Sequence, residues 1–223
     1  MKNLTKFAYL ALSLTFVLSA CSTDDDDHDH DHDHCSVDAP MTYSFEHDGQ
    51  STVFYEGQTN RLLTALDLYS SLNANTATDT SALMALWTTN KLNGKTAENS
   101  DYKIQVVDDL VDILVTYADN SATFETASNG SAAPGVAGKD ADGNSLDANG
   151  WEGDQQYAKM LIGALCLEQV NYDYLTKMDV DNTDRTYSNF NDDGTPNGNT
   201  NVYTKREHYY DEAFGYVYGL DND

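Results

Sequence analysis

Apolar residues recur at helical spacing along most of the chain from about residue 59. In the clearest stretch, residues 104–118, they fall three or four positions apart, while Asp108, Asp109 and Asp112 occupy other faces. Two earlier sets predict helices: Leu62, Leu63, Leu66 and Tyr69 on one stripe, then Leu83, Leu86 and Trp87. The strongest prediction is residues 155–177. Because they are apolar nearly all round from Met160 to Leu167, we expect this helix to run through the centre of a bundle.

The segments between these stretches are polar. Residues 41–55 alternate weakly and predict a short extended pair, whereas residues 119–154 and 178–202 predict long polar loops. A last helix is expected from near Thr204 to about Tyr218, with Gly219 as its stop. The pattern therefore predicts an all-α fold, a helical bundle with long polar loops, over residues 41–223.

The N-terminus has the pattern of a bacterial lipoprotein signal peptide. Lys2 and Lys6 precede an apolar run, and Leu18-Ser-Ala-Cys21 closes it like a lipobox. A transmembrane helix is disfavoured because the run is shorter than the roughly 20 apolar residues that span a bilayer. We expect cleavage after residue 20, lipid attachment at Cys21, and a disordered, acidic, His-rich tether over residues 21–40. The expected location is the outer membrane, with the protein held by its lipid and exposed at the cell surface.

Charge narrows the possible partners. Asp and Glu number 37 against 12 Lys and Arg, and the formal net charge is −25. Nucleic acid is excluded as an expected partner because phosphate contacts need a basic surface. A strongly acidic protein instead attracts cations and stays soluble by self-repulsion.

The tether alternates Asp with His, which indicates metal binding by His28, His30, His32 and His34. Neutral imidazole is the commonest metal ligand among side chains, and the intervening carboxylates attract cations. Such a flexible set prefers Cu(II), Ni(II) and Zn(II) over Fe(II). The alternative is a hydrophilic spacer that also carries a surface-export signal.

The last helix carries a second candidate metal site. His208, Asp211 and Glu212 stand at i, i+3 and i+4 and so share one face, and imidazole with carboxylate oxygens suits iron or zinc. Glu168 is the best candidate for a further ligand, because an unpaired charge beside such an apolar helix is costly. The alternative is that a carboxylate holds His208 against the neighbouring tyrosines.

The start of this helix has a local explanation. Thr204-Lys-Arg-Glu207 fits a capping box, in which Thr204 is the N-cap and the Glu207 side chain reaches back to it. We therefore interpret Glu207 as structural.

Three segments, residues 160–170, 177–182 and 203–216, resemble a family of bacterial lipoproteins of unknown function associated with imelysin-like helical proteins. Glu-His-x-x-Asp-Glu-Ala-Phe-Gly-Tyr is the most specific part. The resemblance implies a helical bundle linked to iron acquisition, and for some members a metallopeptidase with a His-x-x-Glu motif. Here Asp211 stands three positions after His208 and Glu212 comes one later, which departs from that motif. Members of the family usually continue well past this segment. One interpretation is therefore that this chain is truncated and lacks the second half of the bundle.

Three functions follow from these patterns and from what the resemblance implies. The first is a non-enzymatic, surface-anchored metal-binding component of an iron or metal acquisition system, working with outer-membrane metal-uptake proteins. The second is an imelysin-type metallopeptidase, and the third a structural or interaction lipoprotein with no ligand. The implied cofactor is a divalent or ferric metal ion.

Overall fold

The computed structural model describes residues 42–96, 106–180, 182–186, 195, 198 and 202–220. These residues all belong to one compact unit, residues 40–223. The predictions for the signal peptide, Cys21, the tether with its four histidines, and Ile104 lie outside the described residues.

The described part of the chain is mostly helical, as predicted. Its elements, in chain order, are β1 (Glu46–His47), β2 (Gln50–Ser51), α1 (Glu56–Asn73), α2 (Thr80–Thr88), a 3₁₀ turn (Thr89–Lys91), α3 (Leu92–Lys95), α4 (Val106–Thr126), β3 (Gly138–Lys139), β4 (Ser145–Leu146), α5 (Gly153–Leu161), two π-helical segments (Ile162–Leu167 and Gln169–Tyr174), a second 3₁₀ turn (Leu175–Lys177) and α6 (Lys205–Tyr218). None of the described helices is long and apolar enough to cross a bilayer.

The core lies where α1 meets its neighbours. Helix α1 contacts α2, α5 and α6, while α4 contacts α2 and α5. Its fully buried side chains include Leu68 of α1, Trp87 of α2, Leu114 of α4, Tyr157 of α5 and Leu165 of the first π-helical segment. Burial of these large apolar groups, each contributing about 1.5–3 kcal/mol, is the main favourable term in folding.

The extended pair and the last helix form where the sequence predicts them. Strands β1 and β2 pair antiparallel, with Glu46 opposite Ser51. Helix α6 begins after Thr204 and ends at Gly219, whose N–H donates to the Gly215 carbonyl at 2.9 Å.

The predicted stripe on α1 is wrong in part. Leu63 and Leu66 are 46% and 50% exposed, whereas the buried face carries Gln58, Ala65 and Leu68. Helix α6 packs against the start of α1, so the face of α1 that carries Gln58 is buried. Successive residues of a helix are 100° apart, and Leu63 and Leu66 therefore lie on a different face, which is exposed to solvent.

The predicted central helix also differs from the structure. Helix α5 ends at Leu161 and the chain continues as π-helix, in which the Glu168 N–H reaches the Gly163 carbonyl five residues back. Ile162 and Leu167 are 58% and 56% exposed, so this segment has one buried face and does not run through the centre of the fold. When a helix is apolar on all sides, its sequence does not show which side packs against another element.

The predicted loop over residues 119–154 is largely ordered by local hydrogen bonds. Helix α4 continues to Thr126, because Phe124 is buried and the Ser121 hydroxyl donates to the Thr78 carbonyl at 2.9 Å. Beyond it, β3 and β4 pair antiparallel. The Asp140 and Asp147 carboxylates then accept backbone N–H groups of the following turns.

Candidate functional site: the helix α6 face and its cavity

Helix α6 begins with the predicted capping box. The Glu207 N–H donates to the Thr204 hydroxyl oxygen at 3.2 Å, and the Thr204 N–H donates to Glu207 Oε2 at 2.8 Å. Arg185 adds a two-pronged contact, with both terminal nitrogens on the Glu207 carboxylate at 2.8 and 2.9 Å. Burial alone would raise the pKa of Glu207, but the hydrogen bonds from Arg185 and Thr204 hold it below its ordinary value. The predicted capping box is confirmed.

His208 lies between aromatic rings on the inner side of α6. Its ring stacks on Tyr203 with 4.6 Å between centroids and lies 6.1 Å from the Phe54 ring. Its Nε2 is 3.6 Å from Glu212 Oε2. Burial lowers the pKa of His208, against the opposing effects of the Glu212 charge and a hydrogen bond to the Phe54 backbone. The neutral imidazole is therefore favoured at pH 7.

Asp211 connects α6 to the segment that precedes α1. One carboxylate oxygen accepts the Tyr43 hydroxyl at 2.6 Å, and the other accepts the Phe54 N–H at 2.8 Å. The side chain is almost fully buried, and burial raises its pKa to about 6 in spite of these two hydrogen bonds. Asp211 thus holds two points of the N-terminal segment against the helix.

Glu212 and Gly215 make the contact with α1. The Gln58 amide donates to Glu212 Oε1 at 2.8 Å. A Cβ at Gly215 would lie 2.8 Å from the Cβ atoms of both Gln58 and Tyr55, so only glycine admits this approach. Gly215 thus allows the start of α1 to pack closely on α6.

The predicted metal ligands are partly brought together. His208, Asp211 and Glu212 do share one side of α6, but both carboxylates accept protein hydrogen bonds there. Glu168 is buried between the two π-helical segments, where it accepts the Gln169 amide at 3.0 Å. Among the described residues, no group of three or more His, Cys, Asp or Glu could hold a metal ion. A metal site at these four residues stays a prediction.

An open cavity of about 430 Å³ lies beside the start of α6, and we call it the α6 cavity. Four lining residues come from helix α6: Arg206, Glu207, Tyr210 and Asp211. The others come from the two segments packed beside it: Tyr43, Phe45, Glu46, Thr52, Met178, Asn182 and Arg185. The Tyr43 ring stands nearly perpendicular to Phe45, 5.3 Å away, and nearly parallel to Tyr210 at 6.2 Å. The cavity thus has an aromatic side and a charged side.

The two arginines of the α6 cavity are held differently. The guanidinium of Arg185 is neutralised by Glu207. Arg206 instead donates from Nε and one terminal nitrogen to a single backbone carbonyl, that of Val180, at 3.1 and 2.7 Å. Among the described residues, no carboxylate pairs with Arg206. Its charge therefore faces the cavity without a neutralising partner in that part of the chain.

Sequence reasoning missed the cavity, although it found Asp211. Tyr43, Arg185 and Arg206 come from three separate segments, and no local spacing relates them. One signal in the sequence was available. Basic residues are few, 12 against 37 acidic ones, so Arg206, two positions before the candidate ligand His208, stands out.

Comparisons with known proteins give one match. No curated protein and no solved structure matches the chain. A family model described as "Domain of unknown function (DUF4856)" matches residues 40–223, which include every described residue. The chain therefore belongs to the family of the domain of unknown function DUF4856.

Proposed function

We propose that this protein is a non-enzymatic binding lipoprotein of an iron or metal acquisition system. In this account acylated Cys21 anchors it at the outer membrane, exposed to the cell exterior. The helices of residues 41–223 form an imelysin-like bundle, and its partners are outer-membrane metal-uptake proteins.

The structural observation that supports a binding function is the α6 cavity. Small-molecule sites are concave, of about 300–1,000 Å³, with apolar walls and a few placed polar groups, and this cavity has that composition. Two of its acids, the partly exposed Glu207 and the buried Asp211, are engaged by Arg185, Tyr43 and Phe54. Such an arrangement favours binding over acid–base chemistry.

The α6 face also supports a non-enzymatic function. A helical zinc peptidase needs two histidines at i and i+4 with a glutamate as general base. The α6 helix offers His208 alone, and its carboxylates hold Tyr43, Phe54 and Gln58. We therefore favour a structural function for this face over a peptidase centre.

The tether supports the metal part of the proposal. His28, His30, His32 and His34 provide four imidazoles, with Asp29, Asp31 and Asp33 between them. Protonation removes imidazole as a ligand, so the bound metal should be released on acidification.

Calorimetric titration of the mature protein with Zn(II) at pH 7 and pH 5 tests this function. We expect saturable binding at pH 7, loss of binding at pH 5, and loss at both pH values when the four tether histidines are replaced by Asn. A denatured protein substrate, incubated with and without chelator, provides the second measurement. Chelator-sensitive cleavage would contradict the non-enzymatic proposal, and the absence of zinc binding at pH 7 would contradict the metal proposal.

A further inference from the structure

We propose that the α6 cavity takes a small monocarboxylate with a ring-shaped body, and that the Arg206 guanidinium receives its carboxylate. This inference rests on the proposed function insofar as it treats the α6 cavity as the binding site. It goes further by naming the chemistry of the ligand.

The first argument is the way Arg206 is held. A guanidinium has five N–H donors in a planar fork that matches a carboxylate. Arg206 uses two nitrogens on the Val180 carbonyl, which fixes the group without neutralising it. Acidic residues outnumber basic ones about three to one here, yet no described carboxylate pairs with Arg206. A half-buried arginine fixed in this way is preorganised for an incoming anion.

The second argument is charge, which selects a monoanion. Arg185 and Glu207 cancel each other, so Arg206 brings the remaining positive charge among the described residues of the lining. Asp211 and Glu46 lie in the same lining and would repel further negative charge. A monocarboxylate brings a single negative charge to Arg206, whereas a phosphate dianion would place a second negative charge beside Asp211 and Glu46.

The third argument is the aromatic side of the cavity. Phe45 and Tyr210 are 44% and 49% exposed, and both line the cavity beside Tyr43. Aromatic faces and edges give ring-shaped ligands offset-stacked or edge-to-face contacts. A volume of about 430 Å³ accommodates one or two rings. The body of the ligand would therefore lie against these rings while its carboxylate meets Arg206.

Binding of benzoate and benzamide to the mature protein tests the inference, because the two probes share a ring and differ in charge. We expect benzoate to bind at least tenfold more tightly than benzamide in calorimetry or ligand-observed NMR. Arg206→Gln should weaken benzoate binding about 10- to 100-fold, the range for a lost charge-assisted hydrogen bond, and leave benzamide binding unchanged.

Lys205→Gln is the matched control. It removes the same charge from the same helical turn, but the Lys205 ammonium lies 5.8 Å from the Tyr209 ring centroid and does not line the cavity. It should leave benzoate binding unchanged. Arg206→Lys keeps the charge and loses the planar fork, so it should fall between the wild type and Arg206→Gln. Melting temperature and circular dichroism establish that each variant is folded.

Equal affinity for the two probes would overturn the inference, as would no binding of either or equal losses in Arg206→Gln and Lys205→Gln. The zinc titration separates this failure from failure of the proposed function. A protein that binds zinc through its tether but does not discriminate benzoate from benzamide keeps the metal-binding function and loses the carboxylate site.

Discussion

The Tyr43 hydroxyl donates a 2.6 Å hydrogen bond to Asp211, 168 positions further along the chain. The second Asp211 oxygen accepts the Phe54 N–H at 2.8 Å, so one buried carboxylate holds the N-terminal segment on α6. This segment also forms the aromatic side of the α6 cavity. The geometry of the cavity therefore depends on Asp211.

The first prediction concerns the pH dependence of stability. Burial raises the pKa of Asp211 from 3.8 to about 6. Because the folded pKa lies above the unfolded one, the stability that protonation contributes is complete below pH 4 and lost as pH rises through 6. Asp211→Asn cannot titrate. From pH 7 to pH 5 the wild type should therefore gain ~1 kcal/mol relative to this variant.

Urea unfolding at pH 5, 6 and 7 measures this difference. Asp108→Asn, which alters an exposed carboxylate on α4, controls for the change in net charge. Parallel pH profiles for the wild type and Asp211→Asn would contradict the prediction.

The second prediction concerns the close approach of α1 and α6. Gly215→Ala should lower the free energy of unfolding by about 1–3 kcal/mol, because its Cβ would lie 2.8 Å from Gln58 and Tyr55. Gly163→Ala meets nothing within 4 Å and should leave stability unchanged or slightly raised. Thermal or urea unfolding of the two variants compares them, and equal stabilities would count against tight packing at Gly215.

The third prediction concerns the helix cap. Thr204→Ala should lower the free energy of unfolding by about 1–2 kcal/mol, because it removes the N-cap of α6 and the 2.7 Å hydrogen bond that the Thr204 hydroxyl donates to Asn182 Oδ1. Thr204→Ser retains the hydroxyl and should stay close to the wild type. If the Ala and Ser variants unfold at the same urea concentration, the cap contributes little.

Local chemistry was predictable here, whereas packing between distant segments was not. The capping box lies within four residues and was found from the sequence. Which face of α1 is buried depends on its close contact with Gly215, which is more than 150 positions from Gln58. No local sequence pattern encodes that contact. The π-helical segments escaped prediction because their apolar pattern also fits an ordinary helix. The α6 cavity requires Tyr43, Arg185 and Arg206 from three segments that meet only in the folded protein.

The fourth prediction concerns the anchor. Leu18-Ser-Ala-Cys21 follows an apolar run, so Cys21→Ala should block lipidation and leave an uncleaved or released precursor. Membrane fractionation with lipid labelling measures this outcome. A lipid-labelled mature species of the variant in the membrane fraction would contradict the lipoprotein account.

The measurement that tests the central claim most directly is the zinc and iron content of three mature proteins after saturation and dialysis. These are the wild type, the variant with Asn at the four tether histidines, and His208→Ala. Our account predicts that the tether variant loses the metal. It predicts that His208→Ala keeps the metal but melts at a lower temperature, because its ring no longer packs on Tyr203. Metal retained by the tether variant and lost by a folded His208→Ala would contradict the account and place the metal on α6.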